Sequence, residues 1–446
     1  MEIKNKRVLV VGAGLSGLAV SRFLLRHGAD VTLYDGKNRD KLSPEIDSLQ
    51  AQGCHMLLGN ALPQMEDWHW AVVSPGVPPM IPFLNMCREA GIPVIGELEL
   101  AYRISKSPFI AITGTNGKTT TTSLTGYMLQ QAGVNVLVGG NIGMPLVDEV
   151  ENFSGWIVAE VSSFQLESCY DFAPHIACHL NLTPDHLDRH GTLENYAAMK
   201  EKIFARQKET DFAVMNHDDP LVRLHEDQWA AQKRYFSLQT QVEQGAYVQD
   251  GAIYMADHGE SRHLIDTKDV YIKGSHNWQN AMAAVEIARV LDIDPRQIAA
   301  SLRTFPGVEH RLEFVIEKNG VTYVNDSKGT NPASTAKALN AYDQPIVLIA
   351  GGYDKGADFL PLMELIKEKV RYMVLLGATA PKIKKAADQA GFSDYRMADS
   401  FEDAVRLAEA AARPGDVLLL SPACASWDMF SDYEQRGKLF KRLVTA

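Results

Sequence analysis

The stretch Phe109–Ser123, FIAITGTNGKTTTTS, holds the residue types that phosphate binding requires. Gly114 and Gly117 free the backbone to wrap a polyphosphate, Lys118 can neutralise its terminal groups, and Thr119 can reach a magnesium ion. Thr115, Asn116 and Thr120 complete the loop. The strict pattern G-x-x-x-x-G-K-[ST] is missed, since Ile112 stands five positions before Gly117, but the order strand, loop, helix is the one this chemistry needs. Phosphoryl transfer also requires a metal platform, and Glu160, at the end of the next apolar strand GWIVAEVSS, is placed to face the loop. The following stretch, NLTPDHLDRHGTLENYAAMKEKIF, lies at another strand end and brings His186 toward the same crevice. Asp185, His186, Asp188 and His190 lack the helical H-E-x-x-H spacing of a zinc site. Lys200 and Lys202, two positions apart on a helix, project in different directions and read as solvated lysines.

A second glycine loop, VGAGLSGLAV, sits between the first strand and the first helix. Gly12, Gly14 and Gly17 fit G-x-G-x-x-G, and Asp35 ends the next strand about 20 residues on. The physics is a tight turn, close backbone approach to a pyrophosphate, and helix N-terminal amides that favour anions. Any ligand with a diphosphate and a ribose suits it, NAD being one candidate; the alternative is that the glycines serve strand–helix packing alone.

These loops need scaffolds. A chain of 446 residues exceeds one ordinary core. Alternating apolar strands and amphipathic helices divide it into three α/β units, expected at 1–96, 97–304 and 305–446, each with a mostly parallel sheet. The third holds VTYVND, PIVLIAGGYDKG, RYMVLLG and DVLLLSPACAS as strands. With 46% hydrophobic and 22% charged residues the chain reads as soluble, and no apolar run is long enough for a membrane span. The first residues read as strand and turn, not as a signal peptide. Five scattered cysteines without a C-x-x-C pair fit a reducing compartment, so a cytoplasmic location is expected. A net charge of −11 argues against general nucleic-acid binding.

Taken together, GTNGKTTT, AEVSSFQLE, NLTPDHLDRH, YAAMKEKIF, HNWQNAMAA, EHRLE and NDSKGTNPAS resemble the Mur ligases of bacterial cell-wall synthesis along essentially the whole chain. The resemblance implies a Rossmann-like UDP-binding domain, a central P-loop-type ATPase domain and a C-terminal dinucleotide-fold-like domain for the incoming amino acid. NDSKGTNP, GGYDKGADF and SPACASWDMF point within the family to the branch that uses D-glutamate. The resemblance implies ATP as co-substrate, UDP-N-acetylmuramoyl-L-alanine as acyl donor and D-glutamate as acceptor, with an acyl phosphate as intermediate and a monomer as the working unit. A sibling adding a different amino acid, or a folylpolyglutamate synthase-like ligase, is the alternative. A nicotinamide-dependent oxidoreductase would leave Lys118 and Glu160 without a task, and a nucleotide-regulated binding protein would have no use for a metal pair.

By the same resemblance, Gly14, Leu15, Ser16 and Asp35 lie near the uridine and diphosphate, with Ser74, Pro75, Gly76 and Asn141 also approaching that substrate. Thr119 and Glu160 fit a first Mg2+ site, and His186 and Lys200 a second. In the family this lysine is carbamylated, which turns a cation without a lone pair into an anionic oxygen ligand. The spacing from Tyr196 favours Lys200 over Lys202. Asn277, Arg311 and Asp326 are expected to contact ATP, and Lys328, Thr330, Lys355, Ser426 and Tyr433 to contact D-glutamate, Tyr433 standing where the family pattern has phenylalanine. A hinge is expected near Pro306 and Gly307.

Overall fold

The computed structural model describes residues 1–59, 63, 67–78, 80–354 and 356–445. The chain forms two compact units, one of residues 1–269 with 279–303, the other of 270–278 with 304–446.

The first unit carries two sheets. Strands β1 (Arg7–Val11), β2 (Asp30–Asp35), β3 (His55–Leu58), β4 (Trp70–Val73) and β5 (Val94–Gly96) pair in the order β3-β2-β1-β4-β5, all parallel. The strand order reverses at β1, so the Gly12–Gly17 loop opens at the switch point where such sheets bind ligands. Val8 to Val11 are buried on both faces, which is why this strand reads as a continuous apolar run. Gly12 has φ +98°, and a Cβ at Gly17 would collide with the Gly12 carbonyl, so both glycines are required for the helix Leu15–Arg26 to leave the strand closely.

The second sheet follows with β6 (Phe109–Thr113), β7 (Val136–Gly140), β8 (Trp156–Glu160), β9 (Ile176–His179), β10 (Phe212–Asn216), β11 (Gln232–Ser237), β12 (Gly245–Gln249), β13 (Ala252–Asp257) and β14 (Glu260–Asp266). Its order is β14-β13-β12-β11-β10-β9-β6-β8-β7. The pairs from β7 to β12 are parallel, and the β12-β13-β14 ribbon is antiparallel. The sheet is mostly parallel, as expected, with this ribbon as its antiparallel edge. Asp250–Gly251 turns it with φ of +50° and +74°, the backbone that two-residue hairpins require.

The two sheets of this unit are joined by the helix Glu97–Ile104. The fully buried Glu99 carboxylate accepts the backbone N–H groups of Tyr170, Asp171 and Phe172 and a bond from Arg103. Glu97, also buried, accepts the Val147 N–H at 2.9 Å. Each buried carboxyl thus meets backbone donors, as burial demands.

The second unit has β15 (Glu313–Lys318), β16 (Val321–Asn325), β17 (Ile346–Gly351), β18 (Val370–Leu376), β19 (Tyr395–Met397) and β20 (Val417–Leu420) in the order β15-β16-β20-β17-β18-β19, antiparallel only at β15-β16. Apolar clusters cover both faces, one centred on Leu348, Leu375 and Leu419, the other on Val347, Ile349 and Phe440. Among the described residues no helix is long and apolar enough to cross a membrane.

Candidate active site

β6 ends in Thr113, and the chain turns through Gly114 (φ +151°) and Gly117 (φ +84°) into the helix Lys118–Gln131. A Cβ on Gly117 would strike the side chain of Asn280, so the turn admits no larger residue. The loop is fixed from the β9 side. Asn181 accepts the Asn116 N–H at 2.9 Å and donates to the Asn116 carbonyl at 3.1 Å, while its own carbonyl accepts the Thr115 N–H. Thr115 Oγ1 donates to the Thr183 carbonyl and lies 3.3 Å from the Tyr196 hydroxyl. The loop backbone is therefore shaped before any ligand arrives. Thr119 and Thr120 are buried at the start of the helix.

Two amines converge beneath this loop. Lys118 Nζ donates to the carbonyls of Gly114 (2.9 Å) and Thr115 (3.0 Å), and Lys200 Nζ donates to the same Gly114 carbonyl (2.9 Å) and to Thr113 Oγ1 (3.4 Å). Lys200 is 1% exposed, contrary to its reading as a solvated helix lysine. The helix Leu193–Glu201 turns this face onto the ends of β6 and β9, where the Tyr196 ring lies 4.7 Å from the amine. Burial, reinforced by the Lys118 charge, drives the Lys200 amine well below the ordinary lysine value. A neutral amine is a nucleophile toward carbon dioxide, and the resulting carbamate offers the oxygen ligands that an ammonium lacks. Lys202 caps the same helix and donates to the Glu167 carbonyl at 3.1 Å.

Glu160 ends β8, which pairs with β6. Its Oε1 accepts from Asn141 Nδ2 at 2.8 Å, while Oε2 is buried with no hydrogen-bond partner among the described residues. An orphaned carboxylate oxygen in a buried position fits a hard cation such as Mg2+, which takes oxygen ligands. Asn141 is thus engaged with Glu160. His186 has φ +52°, precedes the short helix Leu187–His190, and is half exposed with its ring 4.8 Å from that of Phe164.

At the first loop, Asp35 accepts the Ala13 N–H and the Lys37 N–H, each at 2.8 Å. Ser74 Oγ donates to the Gly12 carbonyl at 3.1 Å, which brings the Ser74–Val77 turn against the glycine loop. Gly14, Leu15 and Gly76 are exposed, with Ser16 and Pro75 partly so.

In the second unit, Asp326 accepts from Ser421 Oγ (2.7 Å) and the Leu312 N–H (3.3 Å), and burial raises its carboxyl to about 7. The Arg311 charge opposes that rise, and Asn277 Nδ2 donates to the Lys273 carbonyl. Lys328 Nζ lies 5.2 Å from the Tyr433 ring centroid, and the Thr330 N–H bonds the Lys328 carbonyl. Ser426 is buried, and Lys355 lies outside the described residues. Arg436, which the sequence reading did not single out, is buried and donates to the carbonyls of Ser327, Cys424 and Ala425. It clips together the loops bearing Lys328 and Ser426. Asn181 and Arg189 were missed as well; both sit in or beside the NLTPDHLDRH stretch.

Residues 6–96 match the Mur ligase MurD-like N-terminal domain, 112–288 the Mur ligase middle domain, and 310–424 the Mur ligase glutamate ligase domain. The chain belongs to the Mur ligase family. It is 49% identical to the UDP-N-acetylmuramoylalanine--D-glutamate ligase of Pelotomaculum thermopropionicum over 99% of this chain and 98% of the relative. It is 46% identical to the protein of the same name from Caldanaerobacter subterraneus over 100% and 99%. Among solved Mur ligases, the UDP-N-acetylmuramate-alanine ligase of Thermotoga maritima superposes with a TM-score of 0.62 at 18% identity, covering 99% of each chain. The MurF ligase of the same organism, solved in complex with ADP, gives a TM-score of 0.59 at 18% identity over 100% of this chain and 96% of that one. These likenesses carry the three-domain α/β fold of the Mur ligases.

Proposed function

We propose that this chain is an ATP-dependent carbon–nitrogen ligase that joins D-glutamate to UDP-N-acetylmuramoyl-L-alanine, a step of peptidoglycan precursor synthesis. The observation that carries the reading is near full-length identity of 43–49% to eight relatives named for that reaction. The arrangement of Lys118, Glu160 and Lys200 around one phosphate loop supports it.

The alanyl carboxylate is a poor acyl donor at neutral pH. One of its oxygens attacks the γ-phosphorus of ATP, the bond to the β-γ bridging oxygen breaks, and ADP leaves. The neutral amine of D-glutamate then attacks the acyl carbon. A C–N bond forms, the C–O bond to phosphate breaks, inorganic phosphate departs and the nitrogen loses a proton. Two anions meet in the first step. Lys118, held on the loop carbonyls, and the amides at the start of the helix Lys118–Gln131 offset that repulsion.

Thr119 and Glu160 would hold one Mg2+, His186 and carbamylated Lys200 a second, and the ions would screen the phosphate charge. In this reading Gly114 to Thr120 bind the ATP phosphates, with Asn277, Arg311 and Asp326 as further ATP contacts. Gly14, Leu15, Ser16, Asp35, Ser74, Pro75 and Gly76 bind the UDP-sugar, with Asn141 between it and Glu160. Lys328, Thr330, Lys355, Ser426 and Tyr433 select the amino acid. The protein would act as a cytoplasmic monomer, with domain bounds at 1–96, 97–304 and 305–446.

The test is ATP-dependent phosphate release with UDP-N-acetylmuramoyl-L-alanine and Mg2+, comparing D-glutamate with L-glutamate, L-alanine and L-lysine. Release with D-glutamate alone, and a product heavier by one glutamyl residue, is expected. Release with another acceptor alone would move the specificity to a sibling reaction, and no release with any acceptor would overturn the ligase.

A further inference from the structure

Arg189 lies three residues after His186 and spends four of its five guanidinium N–H groups on two separate parts of the first unit. Toward the first sheet, Nη1 donates to the Pro75 carbonyl at 2.9 Å and Nη2 to the Val77 carbonyl at 3.0 Å. Toward the second sheet, Nε and Nη2 donate to the two oxygens of Glu167, at 3.1 and 2.5 Å. Arg189 Cζ also lies over the Phe164 ring, 4.1 Å from its centroid, and that ring is the one against which His186 rests. The Arg189 side chain is 15% exposed and that of Glu167 is 9% exposed, so these bonds work in a poorly solvated seam. Ser74, Val77, Glu97, Gln165 and Arg189 line a small cleft along that seam.

A surface ion pair would explain none of this economy. The arginine contacts the backbone of the turn that begins at Ser74, whose hydroxyl in turn holds the Gly12 carbonyl. On its other side it is packed through Phe164 to His186. We propose that Arg189 is a positioning residue that fixes the UDP-sugar turn relative to the His186 loop, so that binding of the sugar nucleotide and of Mg2+ depend on one shared geometry. The inference rests on the functional reading above. Lysine cannot replace it, because a single ammonium cannot serve two carbonyls and a carboxylate in one plane.

The experiment compares wild type with Arg189→Lys, Arg189→Ala and Glu167→Gln. Measurements are calorimetric binding of UDP-N-acetylmuramoyl-L-alanine without ATP, the KM of each substrate, the Mg2+ concentration for half-maximal rate, and the thermal midpoint. Arg189→Lys is expected to weaken sugar-nucleotide binding by about tenfold and to raise the Mg2+ requirement, with the D-glutamate KM within about twofold of wild type. Glu167→Gln keeps the cation but loosens its anchor, and is expected to shift the same two quantities by a smaller factor; it serves if Arg189→Ala does not fold. Unchanged sugar-nucleotide binding and Mg2+ dependence would overturn the proposal, as would a uniform rise of all KM values in step with a falling midpoint. Absence of sugar-nucleotide binding by wild type would instead overturn the functional reading on which it rests.

Discussion

The Gly114 carbonyl faces two lysine amines at 2.9 Å, and only one of them can comfortably keep its charge. Lys118 reaches the partly exposed loop, whereas Lys200 is sealed below it, so burial weighs against the charged form of Lys200. Incubation with 13C-bicarbonate is therefore expected to give a carbamate carbon resonance that disappears in Lys200→Arg; its persistence there would place the modification elsewhere. Glu160→Gln preserves size and an oxygen for Asn141 but removes the charge, so kcat is expected to fall by about 10² to 10³ with little change in the thermal midpoint. Activity within a factor of three of wild type would remove Glu160 from the metal site. Glu97 gives a stability prediction. Burial raises its carboxyl from 4.5 to about 7, so the folded chain holds that proton more tightly than the unfolded chain. Its contribution is complete below about 4.5 and is lost as pH rises through about 7, a swing on the order of 3 kcal/mol. Glu97→Gln keeps an acceptor for the Val147 N–H, and urea titrations of the variant at pH 5 and pH 8 should differ less than those of wild type.

At the scale of elements, the turns out of β1 and β6 depend on glycines that no other residue can replace. In Gly17→Ala the new methyl would meet the Gly12 carbonyl, and the helix Leu15–Arg26 would have to lift from its strand. A destabilisation of about 1–3 kcal/mol, read as a lower thermal midpoint, is expected together with weaker binding of the UDP-sugar. A variant as stable as wild type would show that the helix can shift freely. These two loops were legible in the sequence because each is a contiguous run whose spacing states its backbone. The β12-β13-β14 ribbon was not read, although Asp250–Gly251 and His258–Gly259, both with positive φ, carry the hairpin signal between alternating segments. The burial of Lys200 was illegible for a different reason. Its helix shows no clear apolar face in the sequence, and the amine's partners, Thr113 Oγ1 and the Gly114 carbonyl at the end of β6, lie 87 and 86 residues earlier in the chain. Arg189 was hidden in the same way, since its partners Pro75 and Val77 lie more than a hundred residues away and contribute only backbone carbonyls.

For the whole molecule, the proposed ATP contacts are drawn from both compact units: Lys118 and its loop from the first, Asn277, Arg311 and Asp326 from the second. An acyl phosphate exposed to water would hydrolyse, so a ligase of this kind gains by bringing such groups together only when its substrates are bound. The chain passes between the units at 269/270, 278/279 and 303/304, the last shortly before Pro306 and Gly307, and Gly307, at φ +84°, occupies backbone space that a larger residue adopts only under strain. Small-angle scattering is expected to give a smaller radius of gyration with UDP-N-acetylmuramoyl-L-alanine and a non-hydrolysable ATP analogue than with either alone. Gly307→Val should reduce that compaction and lower kcat while leaving sugar-nucleotide binding, which uses the first unit, near its wild-type value. Equal radii for the wild-type protein with both ligands, with either alone and with neither would rule closure out, and the phosphate site would then have to exclude water with residues of the first unit alone.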